Sequence, residues 1–113
     1  MRYLKICKDR TPNGQLVYIS GQITGLDLKE AKANFDQAEA LLLEKGFKPL
    51  NPMKLNPPLS GKRWKEYMLD DIVQLFNCDG IYLLDNWQAS KGARIEHFIA
   101  KEMGMMILTE KDL

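Results

Sequence analysis

Short β-branched and aromatic runs alternate along this chain with longer stretches of helical periodicity. Leu16–Ser20 (LVYIS), Phe47–Leu50, Gly80–Leu84 (GIYLL) and Met105–Leu108 read as strands. Between the first two, Asp27 and Glu30 have the spacing of a capping box. Ala31, Phe35, Ala38 and Leu42 then recur at helical spacing, and Gly46 stands where a helix closes. Trp64–Phe76 and Lys91–Met103 are the other helical stretches, the latter ended by Gly104. Strand–helix–strand units joined by right-handed crossovers force a mainly parallel sheet with helices on both faces. The expectation is one domain over residues 1–113, a Rossmann-like or flavodoxin-like three-layer α/β sandwich. Its sheet has four strands, or five if Arg2–Cys7 adds an edge.

Composition narrows the function. With 16 Lys+Arg against 15 Asp+Glu the net charge is +1. The chain therefore lacks the basic surface a nucleic-acid polymer requires, and no such partner is expected. A hydrophobic fraction of 45% supports a packed core rather than disorder. No apolar run approaches the roughly 20 residues of a membrane span, and the charged start MRYLKICKDR is no signal peptide. Cys7 and Cys78 have neither disulfide-framework nor zinc-ligand spacing, which fits a reducing compartment. The expected location is cytoplasmic, and no membrane partner is expected.

Ligands of such sheets bind beyond the carboxyl ends of the strands. The segments in that position are 21–27, 51–61 and 85–92, and the Pro-rich stretch 52–61 reads as a loop. Helical rotation of about 100° per residue puts Asp71 within the stripe formed by Trp64, Met68, Ile72 and Leu75, with Asp70 on the polar side. A carboxylate there is either paired structurally or poised for acid–base work. Glu96 falls at the edge of the stripe Ile95, Ile99, Met103, early in the third helix, as an ordinary helix glutamate or a nucleophile. His97, the only histidine, faces away and reads as solvated. Gly21-Gln22-Ile23-Thr24-Gly25 joins a strand to a helix start, and Ser90-Lys91-Gly92 opens the third helix. Both suit either a plain turn or the approach of an anion, with Lys91 and Arg94 adding charge. Tyr18 is a core tyrosine or a hydroxyl reaching a carboxylate. Trp64 reads as packing, and Trp87, in a site loop, as packing or a stacking face for a base.

Together, YISGxITG from Tyr18, Trp64-x-x-Tyr67-Met68-x-x-Asp71, CDGIYLL from Cys78 and Ser90-x-Gly92-Ala93-x-x-Glu96 resemble the nucleoside 2-deoxyribosyltransferase superfamily. The small uncharacterised branch found in bacteria and phages (DUF4406-like) looks most similar. The likeness runs from about Tyr18 to Met106. It implies a nucleoside deoxyribosyltransferase, or an N-glycosidase acting on nucleosides or their 5′-monophosphates. Glu96 would be the nucleophile, Asp71 the acid at the base, paired in the motif with Asp79, and Tyr18 the partner of the nucleophile. Gly21, Ile23 and Gly25 would line the sugar and phosphate, and Ser90 and Gly92 the phosphate side. Thr24 stands where the monophosphate glycosidases carry an arginine, which removes a phosphate clamp. The sequence stops at Leu113, where those glycosidases continue to a serine offered across a dimer interface.

The resulting expectation is cleavage or transfer at an N-glycosidic bond of a small-molecule nucleoside or nucleotide. It requires no metal and no cofactor. A homodimer or larger homo-oligomer is implied. The rivals are a nucleotide-binding module without turnover and a hydrolase of another ribosyl compound.

Overall fold

The computed structural model describes residues 14–57 and 61–113. The Arg2–Cys7 strand expectation lies outside them. The elements follow in alternation: β1 (Leu16–Ser20), α1 (Leu28–Glu44), β2 (Lys48–Leu50), α2 (Pro52–Leu55), α3 (Trp64–Phe76), β3 (Gly80–Leu83), α4 (Lys91–Glu102) and β4 (Met106–Leu108). The described strands form one parallel sheet in the order β2-β1-β3-β4. This is the expected Rossmann-like or flavodoxin-like α/β class.

Local chemistry fixes where the elements start and stop. The Asp27 carboxylate accepts from the Lys29 N–H at 3.2 Å and caps α1. At the other end the Gly46 N–H donates to Leu43 O and the Phe47 N–H to Leu42 O. That pair of bonds is a Schellman closure, and Gly46 takes the left-handed φ of 94° it demands. Phe47 and Leu42 both enter the core, so the closing turn is also a hydrophobic contact. The stretch read as a loop after residue 51 begins instead with the single turn α2. Asn51 accounts for it: its side-chain oxygen accepts from the Met53 N–H, and Pro52 occupies the first helical position. The amide of Asn51, itself buried, donates to Asp36 and Glu39 of α1 and ties the turn to that helix.

Period-two alternation in β1 divides the core. Val17 and Ile19 face the cluster with Phe35, Ala38 and Leu42 of α1, while Tyr18 faces Leu75 of α3 and Ala100 of α4. The Asp79 carboxylate accepts from the Leu16 N–H at 2.9 Å and locks the amino ends of β1 and β3 together, at the opposite end of the strands from Ser20. The chain leaves β1 toward β2 and leaves β3 toward β4. The switch point therefore lies between β1 and β3, and a crevice opens at their carboxyl ends.

Gly21 ends β1 against Leu84. A Cβ there would lie 2.4 Å from Leu84 Cδ1 and 2.8 Å from its Cβ. Gly21→Ala is therefore expected to cost roughly 1–3 kcal/mol of overpacking, read as a lower urea midpoint at unchanged slope. An unchanged midpoint would show that the strand ends are looser than this packing requires.

Candidate active site

Glu96 sits at the centre of the buried face of α4, between Ala93 and Ala100. The stripe expected to be buried, Ile95, Ile99 and Met103, is only partly covered. The alanines explain the difference, because small side chains let α4 approach the sheet closely and carry Glu96 inside. Its two oxygens are claimed by β1: Tyr18 OH donates to Oε2 at 2.8 Å and Ser20 Oγ to Oε1 at 2.7 Å. Tyr18 and Ser20 are two residues apart and so share a face of the strand.

Burial raises the Glu96 carboxyl to about 7, against the lowering effect of the Ser20 and Tyr18 hydrogen bonds and with a further push from Asp71. Burial likewise lifts the Tyr18 phenol well above its ordinary value, helped by the Glu96 charge. Asp71 on α3 is half-buried, and burial raises it to about 6, opposed by a 3.0 Å bond from Asn56 Nδ2. Two carboxyls are thus raised toward neutrality, and Glu96 feels the charge of Asp71.

Both line one cavity of about 230 Å³ at the switch point. Of the residues singled out from the sequence, Tyr18, Gly21, Ile23, Thr24, Asp71, Ser90, Gly92 and Glu96 all stand in its wall. Gly25 does not. It takes a φ of 93° just before the Leu26 N–H donates back to Ile23 O, so its place is in the turn. Asn86 Oδ1 accepts from the Gln22 N–H at 3.0 Å and pins the loop that carries Ile23 and Thr24. Ser90 Oγ caps α4 by accepting from the Ala93 N–H at 3.1 Å. Gly92 permits close helix contact, since a Cβ there would lie 2.9 Å from Met68 Sδ.

Several residues take other places than the sequence pattern suggested. Trp64 lines the cavity with Phe35 and Tyr67, and Lys91 lies 5.2 Å from its ring centroid. Trp87 takes the packing alternative, partly buried against the core with its ring 4.5 Å from that of His97, so His97 is half-covered rather than solvated. Arg94 donates to Gln88 O at 2.7 Å. Among the described residues no Lys or Arg lines the cavity. Nor does any group of three or more His, Cys, Asp or Glu there have the arrangement of a metal site. No helix of the described residues is long and apolar enough to cross a membrane. Ser20 and Asn56 escaped the sequence reading. Strand alternation from Tyr18 would have found Ser20, whereas nothing in the local pattern marks Asn56.

The arrangement can deliver a buried carboxylate to an electrophile and a proton from a second carboxyl, between aromatic walls. In comparisons with known proteins, the family described as "Domain of unknown function (DUF4406)" matches residues 15–109, most of the chain. No curated protein matches it.

Ionising Glu96 inside the protein costs stability. In the unfolded chain this group titrates near 4.5, and in the folded chain near 7. Between those values the folded form holds the extra proton, so stability is present at low pH and falls as pH rises through about 7. Glu96→Gln keeps a polar group between Tyr18 and Ser20 without the charge. The variant should gain on the wild type by up to about 3 kcal/mol at pH 8 and by little at pH 4, measured by urea unfolding. A gain independent of pH would refute the assignment of the buried charge.

Proposed function

We propose that this chain, which belongs to the DUF4406 family, cleaves or transfers at the N-glycosidic bond of a nucleoside or nucleoside 5′-monophosphate. The observation that carries the reading is the pair of carboxyls with raised pKa values, Glu96 and Asp71, in the wall of one cavity. Breaking such a bond builds positive charge on the sugar, and glycosidases meet that demand with two carboxyl groups in opposite protonation states.

Glu96 acts as nucleophile. Its carboxylate forms a bond to C1′ as the C1′–N bond breaks, and the bonding pair leaves with the base. Asp71 gives its proton to the departing nitrogen. The product is a free base and a glycosyl ester on Glu96. Water then attacks C1′, its proton passes to the Asp71 carboxylate, and the ester bond breaks to release the sugar. A second base in place of water gives transfer. Tyr18 and Ser20 hold the carboxylate and share its charge before attack and after release. Trp64, Tyr67 and Phe35 offer flat apolar faces to a base. A 5′ substituent would meet Ser90, Gly92 and the first turn of α4, whose leading N–H groups lack intrahelical partners.

The outer side of α3 carries Leu69, Val73 and Phe76, each more than half exposed. That apolar stripe suits the expected association of copies, and a monomer by light scattering at working concentration would remove this part of the reading. The reading belongs with a cytoplasmic protein, in which the buried Cys78 thiol, raised to about 12, stays inert.

The test is release of free base from a panel of ribo- and deoxyribonucleosides and their 5′-monophosphates, with a second base as acceptor. Glu96→Ala should abolish turnover, and Asp71→Asn should cost roughly 10²–10⁴-fold in kcat. With Asp71 near 6 and Glu96 near 7, the reacting form, Glu96 ionised and Asp71 protonated, is the less populated of the two singly protonated states. The wild-type profile should still be bell-shaped with apparent limbs near 6 and 7 that belong to the pair. Binding of panel members without release by folded wild type would instead indicate a nucleotide-binding module. Release that survives Glu96→Ala would remove the nucleophile assignment.

A further inference from the structure

We propose that Asn56 and Lys62 form a positioning pair that fixes which oxygen of Asp71 is presented to the cavity; this rests on the acid role given to Asp71 above. Asn56 closes α2, its backbone N–H donating to Pro52 O at 2.7 Å. That closure leaves its side chain free for other work. The Nδ2 group donates to Asp71 Oδ1 at 3.0 Å and, at 3.4 Å, to the Tyr67 carbonyl, while Oδ1 accepts from Lys62 Nζ at 2.5 Å.

An amide has chemically distinct ends, and only one orientation satisfies these neighbours. Turned over, the amide oxygen would meet the Asp71 carboxylate and a carbonyl, and its NH₂ group would meet an ammonium. Lys62 therefore locks the amide through charge. Lys62 is itself held, donating to Asp70 Oδ2 at 2.6 Å and lying 4.6 Å from the Tyr67 ring centroid. Its side chain is 21% exposed, against 57% for that of Asp70. With Oδ1 engaged by Asn56, Oδ2 is the oxygen of Asp71 left to exchange a proton with a ligand.

The same contacts act on the titration of Asp71. Burial raises it, the Asn56 bond and the Lys62 charge lower it, and Asp70 on the same helix raises it. Glu96 of α4 and Tyr18 of β1 share the cavity with it and feel its charge. Removing either member of the pair takes away a lowering influence. The carboxyl then holds its proton more tightly and gains freedom to rotate. A residue that merely closed α2 would change stability and leave this titration alone.

The experiment follows the Asp71 carboxyl carbon by NMR across pH in the full chain, for wild type, Asn56→Ala and Lys62→Met. Thermal melts run in parallel. The midpoint, near 6 in the wild type, should rise by about half a unit to one unit in both variants. Base release should lose roughly tenfold or more in kcat with KM little changed, and the pH profile should shift the same way. If Asn56→Ala fails to fold, Lys62→Met carries the test, since it leaves the α2 closure intact. An unmoved midpoint in a folded Lys62→Met variant would overturn the proposal. The NMR midpoint needs no turnover. Absence of base release from wild type therefore counts against the proposed function, while the midpoint still decides whether the pair acts on Asp71.

Discussion

A carboxylate between two hydroxyls joins β1 to α4. Glu96 lies 78 residues from Tyr18 and 76 from Ser20, and accepts from both. It is 5% exposed, a degree of burial that glutamates seldom reach without a compensating partner. Its hydrogen bonds offset part of the desolvation and leave the rest as a raised pKa. The surrounding sequence is arranged to permit that burial. Ala93 and Ala100 keep α4 close to the sheet, and Gly92 keeps it close to Met68 of α3. A larger residue at any of these positions would lift the helix and let water reach the carboxylate.

The architecture was legible because two periodicities run without conflict. The strand LVYIS carries period two and the helices carry period 3.6, with glycine at the closing turns. The two clusters of core residues follow from that alternation. The same period-two logic places Ser20 beside Tyr18, so half of the Glu96 environment was available from one strand.

What the pattern could not separate was core from cavity. Trp64, Met68, Asp71 and Leu75 fall on one stripe of α3, yet Leu75 is packed in the core while the other three line the cavity. Helical spacing reports that a face is covered, not whether protein or ligand covers it. Trp64 therefore read as packing, yet it lines the cavity, while Trp87, read as packing or a stacking face, packs against the core. In α4 the closeness of approach is set by alanines, not by the large apolar residues Ile95, Ile99 and Met103 that mark its stripe. Asn56 was invisible for a further reason: its partners Lys62, Tyr67 and Asp71 come from elements whose relative placement no local pattern reports.

Glycine in a ligand-side loop invites a phosphate-binding interpretation, and here geometry assigns each glycine a more specific reason. Gly21 is required by Leu84, Gly92 by Met68, and Gly25 by a left-handed turn. Each would be needed even if no ligand ever bound. The glycines therefore do not by themselves argue for an anion. The burden falls on groups that packing does not require, and the clearest is the charge of Glu96. A neutral residue of similar shape could bridge Tyr18 and Ser20 at lower cost to stability. A buried ionisable group between two hydroxyls, facing a cavity and a second carboxyl, costs the fold stability at neutral pH, and the proposed function gives that cost a use. The proposed chemistry at that cavity accounts for both carboxyls together.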